Sequence, residues 1–433
     1  MIEAEPSPGT DPGLAPGSLL APPNQAIMSS DPGEAFRDRL ATLKLAGPNA
    51  AVEVVDLILA TARAASASDV HLLPTPAGLE MRWRIDGVLR LTGLLPANLA
   101  PNVVARLKVL ADLLTYRTDV PQEGRVRGAS GDGEVRVSTF PTLHGEKAVV
   151  RLFAASGRFL RLADLGLPED LRAGLARALG ETSGAILLTG PAGGGKTTTL
   201  YACLRELVES NQGRRNLVTL EDPVEVAVAG VTQSQVNPPA GFTLEAGLRS
   251  LLRQDPEVIA VGEIRDRPTA EVAFQASLTG HLVLSTFHAG GAAGAIGRLS
   301  DMGIEPYLLR SGLRAIVSQR LVRTLCACAL DDDGPRSRLG LPVDRARVAV
   351  GCLACGGTGY RGRMVLAEWL EPEPIGLGPA ILARSDVRHL EAEAVRGGMT
   401  DRWQRACRAV EAGLTSAAEV RRVLGFAEMT PAP

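Results

Sequence analysis

Gly190-Pro191-Ala192-Gly193-Gly194-Gly195-Lys196-Thr197 is the stretch on which the reading of this chain turns. It matches the spacing G-x-x-x-x-G-K-[ST] of a phosphate-binding loop, and each residue type has a physical task. The glycines let backbone N–H groups turn inward and approach phosphate with no Cβ in the way. Lys196 carries a point charge to the β- and γ-phosphates, and Thr197 offers a hydroxyl to Mg²⁺. Thr198 opens a helix, expected over 198–208, whose N-terminus faces the anion. Ahead of the loop, Ala185-Ile186-Leu187-Leu188 reads as a buried strand. The bland alternative is a chance glycine-rich turn before a helix. Strand, loop, Lys-Thr and helix in that order favour nucleotide binding, with Gly190 through Thr198 as the binding residues.

Outward from the loop, Leu217-Val218-Thr219-Leu220, Val258-Ile259-Ala260-Val261 and Leu282-Val283-Leu284 are short, nearly continuous apolar runs between helical stretches. Runs of that kind suit parallel strands buried on both faces, so the fold expected here is an α/β sheet of the nucleotide-binding type. Their polar ends are then expected at one edge. They are Glu221-Asp222-Pro223-Val224-Glu225, Gly262-Glu263-Ile264-Arg265-Asp266, and Thr279-Gly280-His281 through Ser285-Thr286-Phe287-His288. Carboxylates beside Mg²⁺ and a γ-phosphate can hold the metal or orient an attacking water. Singly, an acid at a strand end is more often a cap or a solvated turn, and a lone histidine more often structural. Joint placement on successive strands weighs against the bland reading.

The 433 residues suffice for two to four domains. A composition that is 45% hydrophobic and 22% charged fits a protein with buried cores. Aromatics at 3% leave few base-stacking platforms, and a net charge of −2 excludes a generally basic surface for nucleic acid. No apolar run is long enough to span a membrane. Residues 1–33 read as a disordered Pro/Gly-rich leader without signal-peptide character. Residues 34–153 read as a small α+β domain. Its helix is expected over 51–64, its hairpin turns at Asp86-Gly87, and a further helix covers 101–114. Pro121 to Gly124 is expected to break the chain, and strands follow over 134–140 and 147–153. Then come a linker at 154–163, the ATPase domain at 164–325, a cysteine-bounded insert at 326–363, a helical part at 364–426 and a tail at 427–433. Six cysteines in so long a chain do not make a disulfide scaffold. Cys326, Cys328, Cys352 and Cys355 are read either as a four-thiolate zinc site or as reduced structural thiols.

Further stretches carry a resemblance. They are Ser68-Asp69-Val70-His71, Arg82 to Gly87, Pro121 to Arg125, Arg136-Val137-Ser138-Thr139 and His144 to Arg151. With the P-loop, Leu220–Glu225, Leu248–Asp266 and Thr279–His288, they make the chain resemble the secretion ATPases of type II secretion and type IV pilus assembly, from about Ala51 to Phe426. The resemblance implies a RecA-like ATPase domain behind a smaller α+β domain, with ATP and Mg²⁺ as ligands. It implies a homohexameric motor that meets inner-membrane platform and adaptor proteins from the cytoplasmic face, held to the membrane through those partners. Glu221 corresponds to the acid that activates the attacking water and Glu263 to the acid near Mg²⁺. His281 and His288 correspond to residues linking the nucleotide state to the rest of the subunit, and Arg136 and Arg151 to arginines that reach the phosphates.

Similar ATPases carry two C-x-x-C pairs and a Gly-Tyr, Gly-Arg run, matched here by Gly359-Tyr360 and Gly362-Arg363. The first pair, Cys326-Ala327-Cys328, is one residue short. The His box continues as Ala289-Gly290-Gly291 where relatives carry polar residues, which is expected to loosen a contact network. The long amino-terminal docking domain has no counterpart ahead of Ala51, which puts docking through the usual adaptor in question. The leading expectation is a type II secretion motor and the next a pilus extension motor. A nucleotide-binding scaffold with little turnover is the alternative from another class.

Overall fold

Two hydrophobic periodicities divide the chain: alternation by two before residue 153, and continuous apolar strands after it. The structure, a computed structural model, describes residues 31–126 apart from 44 and 46, 135–152, 160–372 apart from 333, and 376–426. Residues 1–30 of the leader, most of the linker and the tail lie outside the described residues. A helix covers Pro32–Ala41, beginning inside the stretch read as leader.

The first sheet contains β1 (Asp69–Thr75), β2 (Gly78–Ile85), β3 (Val88–Leu95), β4 (Gln122–Arg125), β5 (Val135–Thr142) and β6 (Gly145–Leu152), in the antiparallel order β3-β2-β1-β6-β5-β4. Asp86 and Gly87 take positive φ (49° and 79°), the conformation a two-residue hairpin turn needs. Alternate residues Val70, Leu72, Met81, Trp83, Val137 and Val150 point inward to one core, shared with helices Ala50–Ala64 and Ala100–Leu110. Trp83 meets Phe36 edge-on at 5.5 Å between ring centroids.

The second helix ends at Leu110 rather than at residue 114, where the chain reverses through Asp112 at φ 55°. The stretch at Pro121 does not simply break the chain. Gln122–Arg125 is an edge strand, and a proline can stand ahead of one without removing a ladder bond. Gln122 also braces the loop before it, accepting from Leu114 N–H (2.9 Å) and donating to the carbonyls of Leu114 (3.0 Å) and Arg117 (2.6 Å).

The second sheet begins with β7 (Gly184–Thr189), β8 (Leu217–Glu221), β9 (Thr232–Gln235), β10 (Val258–Glu263), β11 (Leu282–Phe287) and β12 (Leu313–Leu325). A short pair follows, β13 (Leu330–Asp331) with β14 (Arg347–Val348), and then β15 (Tyr360–Leu370). The order is β15-β12-β7-β11-β10-β8-β9, and β15 alone runs antiparallel to its neighbour. Every residue of β7, β8 and β11 is buried, because both faces carry helices. Successive strand residues feed two cores: Leu187 and Ile259 on one face, Leu188 and Ala260 on the other.

The cysteine insert is thus an excursion between two paired strands, β12 and β15. The part read as helical from 364 opens with the rest of β15 and turns helical only at Leu377. Three of its helices carry side-chain N-caps, Asp386, Asp401 and Ser416. The β2–β3 turn meets the start of β15, where Asp86 accepts from the Gly362 N–H at 3.0 Å.

The first domain buries one full charge pair. Lys108 Nζ donates to both Glu146 oxygens (2.7 and 2.9 Å) and to the Arg117 carbonyl (2.7 Å). The two side chains are 0% and 7% exposed. Lys108→Met should lower the stability of this domain by about 3–5 kcal/mol, because it strands the Glu146 charge in the interior. Chemical denaturation followed at Trp83 checks this; an unchanged midpoint would mean that Glu146 finds water without its partner.

Candidate nucleotide site and cysteine cluster

The P-loop leaves β7 and enters the helix Lys196–Asn211. Gly190, at φ 144°, runs so close to β12 that a Cβ there would sit 2.3 Å from the Gln319 carbonyl oxygen. Only glycine fits. From β12, the buried Gln319 side chain donates to Gly194 O (2.8 Å) and accepts from the Thr199 hydroxyl (3.1 Å). One amide thereby ties the turn of the loop to the first turn of its helix. Thr197 is half-buried and Thr198 exposed.

Lys196 is buried, its Nζ donating to the Gly190 and Pro191 carbonyls at 3.0 Å each. Burial pushes this ammonium below its ordinary range; the Glu263 carboxylate opposes that shift and the Arg320 guanidinium adds to it. His288 stands next to it, with Nδ1 3.4 Å from Lys196 Nζ and Nε2 2.8 Å from Glu263 Oε1. If Nζ donates to Nδ1, the ring proton is on Nε2 and points at Glu263. The other Glu263 oxygen accepts from Arg265 Nε at 2.8 Å. Lys196, His288 and Glu263 therefore form one polar chain at the carboxyl edge of the sheet, drawn from three strand ends.

Glu221 occupies a separate, deeper network. It is 4% exposed, and its carboxylate accepts from Tyr201 OH (2.5 Å), Thr219 Oγ1 (2.6 Å) and Gln233 Nε2 (3.0 Å). Burial, and next the bond to Glu221, push the Tyr201 phenol above its ordinary range. Tyr201 lies on the P-loop helix and its oxygen also accepts from the Glu225 and Val226 N–H groups, so it links that helix to the segment after β8.

His281 is not brought to this cluster. It precedes β11, and its carbonyl pairs with Gly184 N–H at the start of β7. That is the opposite edge of the sheet, roughly 20 Å away along a six-residue strand. Its Nδ1 lies 3.0 Å from the Ala276 carbonyl, a local contact. Arg151 and Arg136 are directly opposite each other on β6 and β5 of the first sheet. Arg151 Nε donates to Asp69 at 3.0 Å.

The loop after His288 is not loosened by its lack of polar side chains. Its backbone is held instead: Arg298 donates to His288 O (2.6 Å), Arg320 to Gly290 O (2.7 Å), and Ala292 N–H donates to the buried Glu368 (2.8 Å). A Cβ at Gly291 would lie 2.3 Å from Arg402 Nη1, so a larger residue there would displace the tip of that side chain.

The four cysteines of the insert converge, with all sulfurs within 4.8 Å of one another. Cys326–Cys352 and Cys352–Cys355 are 3.8 Å apart and Cys328–Cys355 4.0 Å. A tetrahedron of Zn–S bonds at about 2.3 Å has sulfurs about 3.8 Å apart, so the donor set fits zinc. Burial opposes ionisation of Cys355, but donation from the Cys352 and Gly359 N–H groups outweighs it and brings the thiol down to about 6. The short Cys-x-Cys pair reaches because Cys326 follows β12 directly and the chain turns at Ala329. Cys203 and Cys407 are buried away from the cluster.

The sequence profile of the type II/IV secretion system protein family matches residues 45–422. The chain belongs to that family. Among its relatives, the type II secretion system protein E of Pectobacterium carotovorum subsp. carotovorum is 42% identical over 380 residues, 86% of this chain and 75% of the relative. The type IV pilus assembly ATPase PilB of Myxococcus xanthus is 40% identical over 382 residues, 85% of this chain and 67% of PilB. Other type II secretion relatives are matched over 64–65% of their length, so the chain spans just under two thirds of those proteins. The Legionella pneumophila ATPase DotB shares the fold, with a TM-score of 0.61 at 22% identity over 85% of this chain and 94% of DotB.

Two residues of this family member were not singled out from sequence, Gln319 and Tyr201. The available signals were an amide between Ser318 and Arg320 in β12 and a tyrosine five residues past Lys196 on the P-loop helix. Gln319→Leu leaves Gly194 O and Thr199 Oγ1 without their partner at a cost of about 1–3 kcal/mol. It should weaken nucleotide binding roughly ten-fold or more, measured by titration with a fluorescent ATP analogue. Unchanged affinity would show that the loop holds its shape alone.

Proposed function

We propose that this chain is a Mg²⁺-dependent ATPase that works as a homohexamer to power pseudopilus assembly and protein export in type II secretion. It would act at the cytoplasmic face of the inner membrane, bound there through platform and adaptor proteins. The observation that carries the reading is the Lys196–His288–Glu263 chain at the carboxyl edge of the sheet, in a member of a secretion family.

In this reading the phosphates of ATP take over Lys196 Nζ from the Gly190 and Pro191 carbonyls, while the loop N–H groups cradle them. Thr197 and Glu263 hold Mg²⁺, which when bound neutralises charge on the β- and γ-phosphates. His288, touching both Lys196 and Glu263, registers whether those groups are engaged. Glu221 is the base. Three neutral donors fix its orientation and leave about one of its four lone-pair sites for the proton of an attacking water. Arg136 and Arg151 approach the phosphates from the first domain. His281, at the far edge, acts away from the phosphates, on the helix Arg267–Leu278 whose Ala276 carbonyl it contacts.

A pilus assembly motor is the second reading, supported by the match to PilB. Among the described residues no helix is long and apolar enough to cross a membrane, in keeping with attachment through partners. Loss of protein export on deletion of the gene, with pili intact, favours secretion; the reverse favours the pilus.

Steady-state hydrolysis tests the core of the proposal. Glu221→Gln should retain nucleotide affinity and lose turnover by roughly 10²-fold or more, since an amide cannot accept the proton. Lys196→Ala should lose affinity as well. Full turnover in Glu221→Gln would remove Glu221 as the base, and wild-type protein without Mg²⁺-stimulated hydrolysis would leave a scaffold.

We also infer one structural zinc per subunit, on Cys326, Cys328, Cys352 and Cys355. Elemental analysis of untagged protein should find about one zinc per chain, and Cys352→Ser should lower both zinc content and the melting temperature. Metal-free protein with four reactive thiols would decide for reduced structural cysteines.

A further inference from the structure

The strand registers of the first sheet line up one row of side chains across five strands. Arg84 on β2 is opposite Asp69 on β1, Asp69 opposite Arg151 on β6, Arg151 opposite Arg136 on β5, and Arg136 opposite Arg125 on the edge strand β4. Directly paired residues of antiparallel strands point to the same face. The alternation fixes which face it is. Trp83, Val70, Val150 and Val137, neighbours of these residues along the strands, point into the helix-covered core, so the row lies on the other face.

The row thus holds four guanidinium groups and one carboxylate. Like charges set directly opposite across a ladder are unfavourable, yet Arg125, Arg136 and Arg151 sit three abreast. Asp69 stands at one end of that triplet and is already engaged. It accepts from Arg151 Nε at 3.0 Å and Ser68 Oγ at 2.9 Å, with Arg84 Nε 3.3 Å away. The Arg151 side chain is 61% exposed despite this contact, and Arg125 is exposed at the sheet edge. Adjacent strands are about 4.8 Å apart, so the triplet is a strip about 10 Å wide. Planar guanidinium forks match phosphate oxygens in pairs. A strip of that width can engage several phosphate groups together, where a single small anion would meet one or two of the forks. The adjoining row across these strands, Arg82, His71, Val149, Ser138 and Glu123, offers no large aromatic ring for base stacking.

We propose that Arg125, Arg136 and Arg151 act as one polyphosphate-binding strip, in which the edge-strand Arg125 is a third phosphate-contacting arginine of the hydrolysis reaction. This rests on the reading that Arg136 and Arg151 approach the phosphates of ATP, and extends it to a residue that reading did not include. Because its charge matters most as negative charge builds on the transferring phosphoryl group, Arg125 serves turnover more than ground-state affinity.

The test compares Arg125→Ala, Arg125→Lys, Arg136→Ala and Arg151→Ala in the full chain. Readouts are kcat for MgATP, affinity for a fluorescent ATP analogue, and melting temperature. Arg125→Ala should lower kcat about ten-fold or more with affinity within two-fold of wild type, and Arg125→Lys should recover part of the loss. The melting temperature should stay within a few degrees of wild type, since Arg125 is exposed on an edge strand. If Arg136→Ala and Arg151→Ala lose turnover and Arg125→Ala does not, the strip stops at Arg136 and this inference fails while the proposed function stands. If none of the three loses turnover, the arginine part of the proposed function fails with it. A fall in melting temperature together with kcat, unrecovered by lysine, would make Arg125 structural. Arg125-dependent binding to phosphatidylglycerol vesicles with unchanged turnover would make the face a membrane contact, and would equally overturn the proposal.

Discussion

A buried ammonium at the carboxyl edge of a parallel sheet is the constraint around which this molecule is arranged. Lys196 loses hydration on entering the site, and its charge is kept by two loop carbonyls and, through Coulomb attraction, by Glu263. Those groups can meet only if β7, β10 and β11 end at one level, which parallel neighbours in register provide. The same requirement explains the close approach of Gly190 to Gln319. The loop must be pressed against β12 for its carbonyls to face Lys196, and a single Cβ would prevent it.

From that edge, polar contacts spread outward along identifiable side chains. Tyr201 joins the P-loop helix to Glu221 and to the backbone beyond β8. On the other side, Arg320 and Glu368 hold the backbone after His288, and Glu368 in turn takes the backbone N–H and side chain of Arg402. The C-terminal helices are thus connected to the His288 loop by bonds to main-chain atoms. Side-chain identity in that loop matters less than its backbone, which is why Ala289, Gly290 and Gly291 are tolerated there.

The cysteine insert depends on the sheet in a simpler way. β12 and β15 are an antiparallel pair, and the insert closes the end of that pair where the last helices also attach, through Leu325 N–H to Leu414 O and Tyr360 OH to Ser416 Oγ. Cys326 and the Gly359–Tyr360 segment are brought together by the ladder itself, as the Cys326 N–H bond to Gly359 O shows (2.9 Å). The four sulfurs then need little further chain entropy to converge, and one missing residue in the first pair is absorbed by the turn.

Much of this was legible in the residue order. Glycines, a lysine and a threonine at P-loop spacing, preceded by a buried strand, carry their chemistry locally. Continuous apolar runs announce strands covered on both faces, and alternation announced the first sheet. The sequence read in isolation did not separate His288 from His281. Both flank the same six-residue strand, and only the direction of that strand puts one beside Lys196 and the other at the far edge. Nor did it reveal Gln319, 123 positions after Lys196, or the arginine row, whose members come from four strands scattered between residues 84 and 151. The division has a physical reason. Local chemistry is set by neighbours along the chain, so the sequence by itself determined the loop, the four buried strands β7, β8, β10 and β11, and the candidate acids. Which distant side chains share an edge or a row is set by strand direction and register, and that only the tertiary structure decided.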